Sequence, residues 1–208
     1  MHFADRNEAA DQLADKLEQY RGQKPLVLGI PRGGVVLAAR IAARLEGDAD
    51  VVLTHKLGAP GDPEVAIGAI DESGQILLND PRWRHEVHAY LEREAADQLA
   101  ELRRRRKLFS AGRAVLDPAG RIVIVTDDGL ATGATMIAAL KVLRASKPAR
   151  LIAAVPVAPP DTLAKVAALA DETICLDAPE WFMAVGQFYR SFGQVEDDEV
   201  VELLRGKA

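Results

Sequence analysis

Asp127 and Asp128 stand directly after the apolar run Ile122–Val125 and Thr126, and directly before Gly129-Leu130-Ala131-Thr132-Gly133-Ala134-Thr135, which leads into an apolar, helix-forming stretch. Thr132 and Thr135 bring hydroxyls to a helix start, where backbone N–H groups lack intrahelical partners and the helix dipole is positive. Gly133 lets a ligand approach the backbone closely, and a phosphate suits such a turn. Two carboxylates beside a phosphate would repel it unless they face something else. Sugar hydroxyls are donors that a carboxylate accepts from, so the run as a whole reads as a site for a phosphorylated sugar. Taken alone, an acidic pair before a Thr-capped helix can also be a plain turn. It is the uninterrupted order of strand, acids, Thr-Gly-x-Thr and helix that carries the reading.

A second glycine-bearing turn, Gly29-Ile30-Pro31-Arg32-Gly33-Gly34, follows the apolar run at 26–30 and opens a helix through Val35. It can be a helix entry or a second anion site, with Arg32, Gly33 and Gly34 as its donors. Lys56 follows the next apolar run, DVVLT at 50–54, and a compact ammonium there suits a phosphate. Residues 177–196 gather Trp181, Phe182, Phe188 and Tyr189, which either pack together or wall a flat ligand.

The elements that must hold these turns are short Val/Ile-rich runs at 26–30, 50–54, 122–126, 151–157 and 173–176. They alternate with helical spacing over 35–45, 135–145 and 161–170. Strands apolar on both faces and separated by helices predict an α/β fold with a doubly wound, mainly parallel sheet, whose ligands sit beyond the strands' carboxyl ends. An amphipathic helix over 7–20, capped by Asp5 or Asn7, opens the chain and shows no obvious chemistry of its own. Residues 55–81 predict a strand pair turning at Glu72-Ser73-Gly74, and 82–109 a long helix with Val87, Leu91, Ala95, Leu99, Leu102 and Phe109 on one face. The helix ends in Arg103–Lys107, read either as a solvated helix end or as a phosphate or subunit contact. We therefore expect one domain over 1–208, with a flexible flap and long-helix insertion at about 55–110 and a small C-terminal hood at about 177–196.

With 208 residues, 49% hydrophobic and 27% charged, the composition is that of a globular domain. A formal charge of −5 argues against broad nucleic-acid binding, which needs a surplus of Lys and Arg. The single cysteine, Cys175, has no partner for a disulfide and reads as a buried structural thiol. No stretch of the sequence reaches the roughly 18–20 apolar residues of a membrane span, so a cytoplasmic protein with no membrane partner is expected.

The run DDGLATGAT at 127–135 resembles the phosphate-loop signature of type I phosphoribosyltransferases, and is close to the DDLLATGGT pattern of the adenine-specific members. The order of elements, the PRGG loop, the KLG segment at 56–58 and the aromatic tail look like a bacterial branch of that family without an assigned acceptor. The resemblance implies a donor, phosphoribosyl pyrophosphate, with Asp127 and Asp128 on the ribose hydroxyls and Ala131, Thr132, Gly133, Ala134 and Thr135 on the 5-phosphate. It places Arg32, Gly33, Gly34 and Lys56 at the pyrophosphate, on a loop whose peptide is cis in some members. It implies Mg²⁺ held mainly by the donor and by water, with no protein metal cage, and an acceptor hood including Trp181 and Phe182. Glu64, or Glu72 at the flap turn, corresponds loosely to an acidic lid residue. Ala131 stands where many purine-specific members carry an Asp, so a general base must come from elsewhere. The implied reaction joins a nucleobase-like or other N-heterocyclic acceptor to the ribose. The other class open to this fold is a non-catalytic sensor of the same donor that acts on RNA or a protein partner. The long helix leads us to expect a homodimer.

Overall fold

The computed structural model describes residues 2–80, 82–83, 87–110 and 112–206, the side chains of Pro63 and Glu64 excepted. Five parallel strands form the main sheet in the order β2-β1-β6-β7-β8: β1 (Leu26–Gly29), β2 (Asp48–Val51), β6 (Ile122–Thr126), β7 (Arg150–Val157) and β8 (Glu172–Asp177). From β1 the chain passes through α2 (Gly33–Leu45) to β2 on one side. From β6 it passes through α4 (Ala134–Ala145), β7 and α5 (Pro160–Ala167) to β8 on the other. The winding therefore reverses between β1 and β6, where a crevice opens beyond the strands' carboxyl ends. The register pairs Gly29 with Thr126, so the turns after these two strands start side by side.

Alternate residues of each strand enter different cores, as the two-residue period of a strand requires. Leu26, Leu28, Val123 and Val125 join Met136, Leu140 and Val166 on the face of α4 and α5. Val27 and Ile124 join Leu13, Leu37 and Ile41 on the face of α1 (Arg6–Lys16) and α2. The first helix begins at Arg6, and Asp5 is its cap, accepting from the Glu8 amide at 2.9 Å.

Residues 54–78 form a separate antiparallel sheet: β3 (Thr54–Ala59), β4 (Asp62–Asp71) and β5 (Ile76–Leu78). The expected pair is present as β4 and β5, with Gly68 opposite Leu78 and Ile70 opposite Ile76. A third strand, β3, holds the residues read as the space beyond a core strand. The core strand β2 ends at Val51, and Lys56 lies inside β3. The return helix α3 (His88–Ser110) buries Leu91, Ala95, Leu102 and Phe109, as their spacing predicts. It packs on β3, β4 and α6 (Asp197–Leu204). Among the described residues no helix is long and apolar enough to cross a membrane.

The basic end of α3 is solvated at Arg103, Arg104 and Lys107, as one reading of the run expects, but Arg106 departs from it. Arg106 is withdrawn from solvent, donating to Asp50 Oδ1 at 2.8 Å, to the Val51 carbonyl at 2.9 Å and to Glu72 Oε2 at 2.5 Å. Arg104 is paired with Glu101. Glu72, considered above as a lid acid, is thus tied to the arginine that fastens the flap turn to the edge of the main sheet. Cys175 is half-buried, its Sγ within 3.0 Å of the Asp177 carbonyl, and burial pushes the thiol's pKa up.

Candidate active site

The crevice at the β1–β6 switch brings the two glycine-bearing turns together. A Cβ on Gly34 would stand 2.6 Å from the Thr126 carbonyl oxygen and 2.9 Å from Asp127 Cα, and one on Gly33 would stand 1.9 Å from Asp128 Oδ2. Only glycine allows this approach, so the acidic pair lies directly against the PRGG turn. The Ile30 amide donates to the Thr126 carbonyl at 2.9 Å, joining the turns at their roots. The Pro31–Arg32 peptide is cis. The Gly34 amide donates to the Ile30 carbonyl at 3.0 Å, so what Gly34 offers a ligand is close approach rather than a hydrogen bond. Arg32 lies beside the start of α6, with Glu196 at 3.5 Å and Asp197 at 3.9 Å.

The two acids differ in their surroundings. Asp127 accepts from the Asp128 amide at 2.9 Å, and its pKa is raised well above the ordinary carboxylate range, first by burial and then by the charge of Asp128. Asp128 accepts from Arg6 Nε at 2.8 Å in a pair whose side chains are 12% and 15% exposed. The Tyr189 hydroxyl donates to the Asp128 carbonyl at 2.5 Å. Arg6 and Tyr189 lie 122 and 61 residues away in sequence, and no local motif announces either. The first helix, read as devoid of chemistry, thus supplies a side chain to the acidic pair. One signal was available: Arg6 is a cation in the first turn of a helix, where the dipole disfavours positive charge, and such a placement needs an anion nearby.

Beyond the acids, Gly133 adopts φ 71° and caps α4. Ala131, Thr132 and Thr135 are exposed, and the turn is braced from behind, where Thr162 Oγ1 donates to the Ala131 carbonyl at 2.8 Å. Beside this turn Lys56, Thr132, Ala134, Lys141, Lys165 and Asn79 line a cavity of 190 Å³. Lys141 Nζ donates to Asn79 Oδ1 at 2.6 Å, fixing one wall. Glu64 belongs to β4, and its side chain lies outside the described residues.

The hood divides. Phe188 and Tyr189 are buried with Phe3, and Phe182 rests on Phe188 at 5.2 Å between ring centres. Trp181 is 89% exposed. Phe182, Phe188 and Tyr189 therefore pack as a small core, while Trp181 and, to a lesser degree, Phe192 are exposed. Among the described residues no three His, Cys, Asp or Glu side chains gather as a metal cage.

This arrangement has recognisable relatives. A Thermus thermophilus protein of solved structure, TT1426, is 45% identical and superposes with a TM-score of 0.92, covering 98% of both chains. A protein found in two strains of Mycobacterium tuberculosis, provisionally named a phosphoribosyl transferase, is 46% identical over 204 residues, 97% of this chain and 46% of its own length. The chain thus spans about half the length of the curated relatives it matches. A Neisseria gonorrhoeae protein solved with bound ppGpp shares the fold at a TM-score of 0.52 and 14% identity, over 99% of this chain and 94% of its own. The family model described as the phosphoribosyl transferase domain matches residues 4–192, and the chain belongs to that family.

Proposed function

We propose that the protein is a Mg²⁺-dependent phosphoribosyltransferase that binds phosphoribosyl pyrophosphate and passes the phosphoribosyl group to a nitrogen heterocycle, releasing pyrophosphate. The observation that carries this reading is the contact of the PRGG turn with the acidic pair at the β1–β6 switch, beside the open turn at 131–135. That arrangement supports three recognitions along one crevice. The turn at 131–135 suits the 5-phosphate, with Thr132, Thr135 and first-turn N–H groups as donors and Lys56 and Lys141 as nearby charge. The acids suit the ribose hydroxyls. Arg32 and the Gly33 backbone suit the pyrophosphate.

In the reaction a nitrogen lone pair forms a bond to the anomeric carbon as the bond from that carbon to pyrophosphate oxygen breaks, and the electron pair leaves with pyrophosphate. Positive charge builds on the ribose ring meanwhile, and carboxylates beside the sugar stabilise it. The chain's residues hold the donor in line and keep water away. Magnesium, carried by donor oxygens and water, supplies neutralisation of the leaving group. Asp127 and Asp128 would hold it from the protein side, since a cation that keeps most of its waters needs few protein ligands. The acceptor's proton passes to a group outside the 131–135 turn, since Ala131 has no base to offer. A homodimer is part of the proposal and is checked by sedimentation of the purified chain.

Pyrophosphate release measured across a panel of nucleobases, with donor and Mg²⁺, tests the reading. Turnover with at least one base, lost on replacing Asp127 and Asp128 by Asn, is the expected result. Donor binding without turnover on any acceptor would favour the sensor instead.

A further inference from the structure

Arg6 is placed at some electrostatic disadvantage, in the first turn of α1, and three contacts account for it. Its Nε donates to Asp128 Oδ2 at 2.8 Å, its Nη1 donates to the Gly193 carbonyl at 2.8 Å, and its guanidinium lies over the Phe192 ring at 4.0 Å from the centroid. Phe192 stacks on Tyr189 with centroids 4.9 Å apart, and Tyr189 returns to Asp128 by donating to its carbonyl. One side chain and one backbone oxygen of the same aspartate are therefore gripped by two ends of the chain.

Those ends are bound to each other. The Phe3 amide donates to the Phe188 carbonyl at 2.8 Å, the Arg190 amide to the Phe3 carbonyl at 2.8 Å, and the Ser191 amide to the Ala4 carbonyl at 2.9 Å. Phe3 itself is fully buried among Ala9, Val157, Phe188 and Tyr189. The start of α1 and the C-terminal hood are thus tied together, and they meet the crevice loop at Asp128 and at Gly129, where Val185 leaves no room for a Cβ.

Resting on the phosphoribosyl reading above, we propose that Arg6 is the positioning residue of the sugar site. By occupying Oδ2 of Asp128, and being held itself by Phe192 and Gly193, it turns the other carboxylate oxygen toward a ribose hydroxyl. Sugar recognition then depends on docking of the hood on the N-terminal helix, while the phosphate turn at 131–135 works without it. A planar guanidinium suits the task, because it can bond an acid through one edge, a carbonyl through another and an aromatic ring through its face. An ammonium has no such face.

The test compares ribose 5-phosphate with its 2-deoxy and 3-deoxy analogues by calorimetry on wild type, Arg6→Met and Arg6→Lys. The wild type should prefer ribose 5-phosphate to at least one analogue by about ten- to a hundredfold, the worth of one hydrogen bond to a charged acceptor. Arg6→Met should bring that ratio toward unity while leaving affinity for the deoxy analogue unchanged, and Arg6→Lys should fall between. If Arg6→Met does not fold, Phe192→Leu, which removes the ring from beneath the guanidinium, should lower the ratio in part. A merely structural Arg6 would weaken all the sugars equally and keep the ratio, and that result overturns the proposal. A wild type that binds the sugar phosphates without discrimination would instead overturn the assignment of the acids to ribose, and this inference with it.

Discussion

Arg6 and Arg106 are equally withdrawn from water, each with 12% of its side chain exposed, and each closes on an aspartate far away in sequence. Their surroundings set them apart. Arg106 meets Asp50, which is 4% exposed, together with Glu72 and a strand carbonyl, so it fastens the flap turn to the main sheet, away from the crevice at the strands' carboxyl ends. Arg6 meets Asp128 at the mouth of the crevice, where a second acid stands next to it and a ligand can enter. Similar pairs thus serve different ends. A guanidinium whose removal strands a buried carboxylate acts mainly on stability. One that shares its carboxylate with an open crevice acts mainly on recognition.

The sharpest way to break this contrast is Arg106→Met. Asp50 would keep only the Val51 amide and Arg113 at 3.8 Å, and Glu72 would lose its bond to Arg106, which should cost about 3–5 kcal/mol, as breaking a buried pair does, read from urea unfolding. Affinity for phosphoribosyl pyrophosphate in the folded fraction should stay as in wild type. A loss below about 1 kcal/mol, the range of surface pairs, would remove the distinction.

Next in size is Gly34→Ala. Its methyl group would press on backbone, the Thr126 carbonyl and Asp127 Cα, which cannot yield as a side-chain tip can. Overpacking of this kind costs about 1–3 kcal/mol, and the displacement falls on the acidic pair, so both melting temperature and donor affinity should drop. Unchanged donor binding would mean that the contact between the two turns does not matter to the site.

Asp127→Asn should move stability the other way. Burial and the neighbouring charge raise the Asp127 pKa above its ordinary 3.8, so the native state holds that proton more tightly than the unfolded chain does. The resulting stabilisation is fully present below pH 3.8 and is lost as the pH rises through the raised native value. At pH 7 the Asn variant, which carries no such penalty, should melt above wild type, and the gap should close as the pH falls toward the carboxylate range. A variant less stable than wild type at pH 7 contradicts this. The expected trade is stability gained and donor binding lost, as at sites held under electrostatic tension.

The smallest effect should come from Trp181→Ala. A side chain 89% exposed contributes within about 0.5 kcal/mol to folding, so the melting curve should not move. Acceptor saturation should weaken if the ring stacks on the acceptor, and an unchanged acceptor KM would dissociate Trp181 from the site.

What could be read in the sequence follows from how local each feature is. The 122–136 run was legible because strand, acids, glycine and helix start are consecutive. The central strands β1, β6 and β7 were legible because strands covered on both faces leave apolar runs, whereas the edge strand β2 lies at Asp48–Val51 rather than 50–54, its sequence DADV being half polar. Lys56 was assigned to the end of a core strand because DVVLTHKL is apolar across the point where β2 stops and β3 begins. Arg106 resembled a solvated helix end, since four arginines and a lysine in a row do not reveal which one turns inward. The partners of Asp128 were hidden for a plainer reason: a contact spanning 122 residues leaves no spacing to read, and the hood aromatics gave no sign that Tyr189 would face the acid while Trp181 faced water.

The central claim is that the crevice at the β1–β6 switch binds phosphoribosyl pyrophosphate through the acidic pair, and calorimetry with that compound and Mg²⁺ tests it most directly. The wild type should bind, and replacing both Asp127 and Asp128 by Asn should weaken binding by about a hundredfold or more, the combined worth of two hydrogen bonds to charged acceptors. No heat of binding in the wild type, or equal affinity in the double variant, would contradict the account.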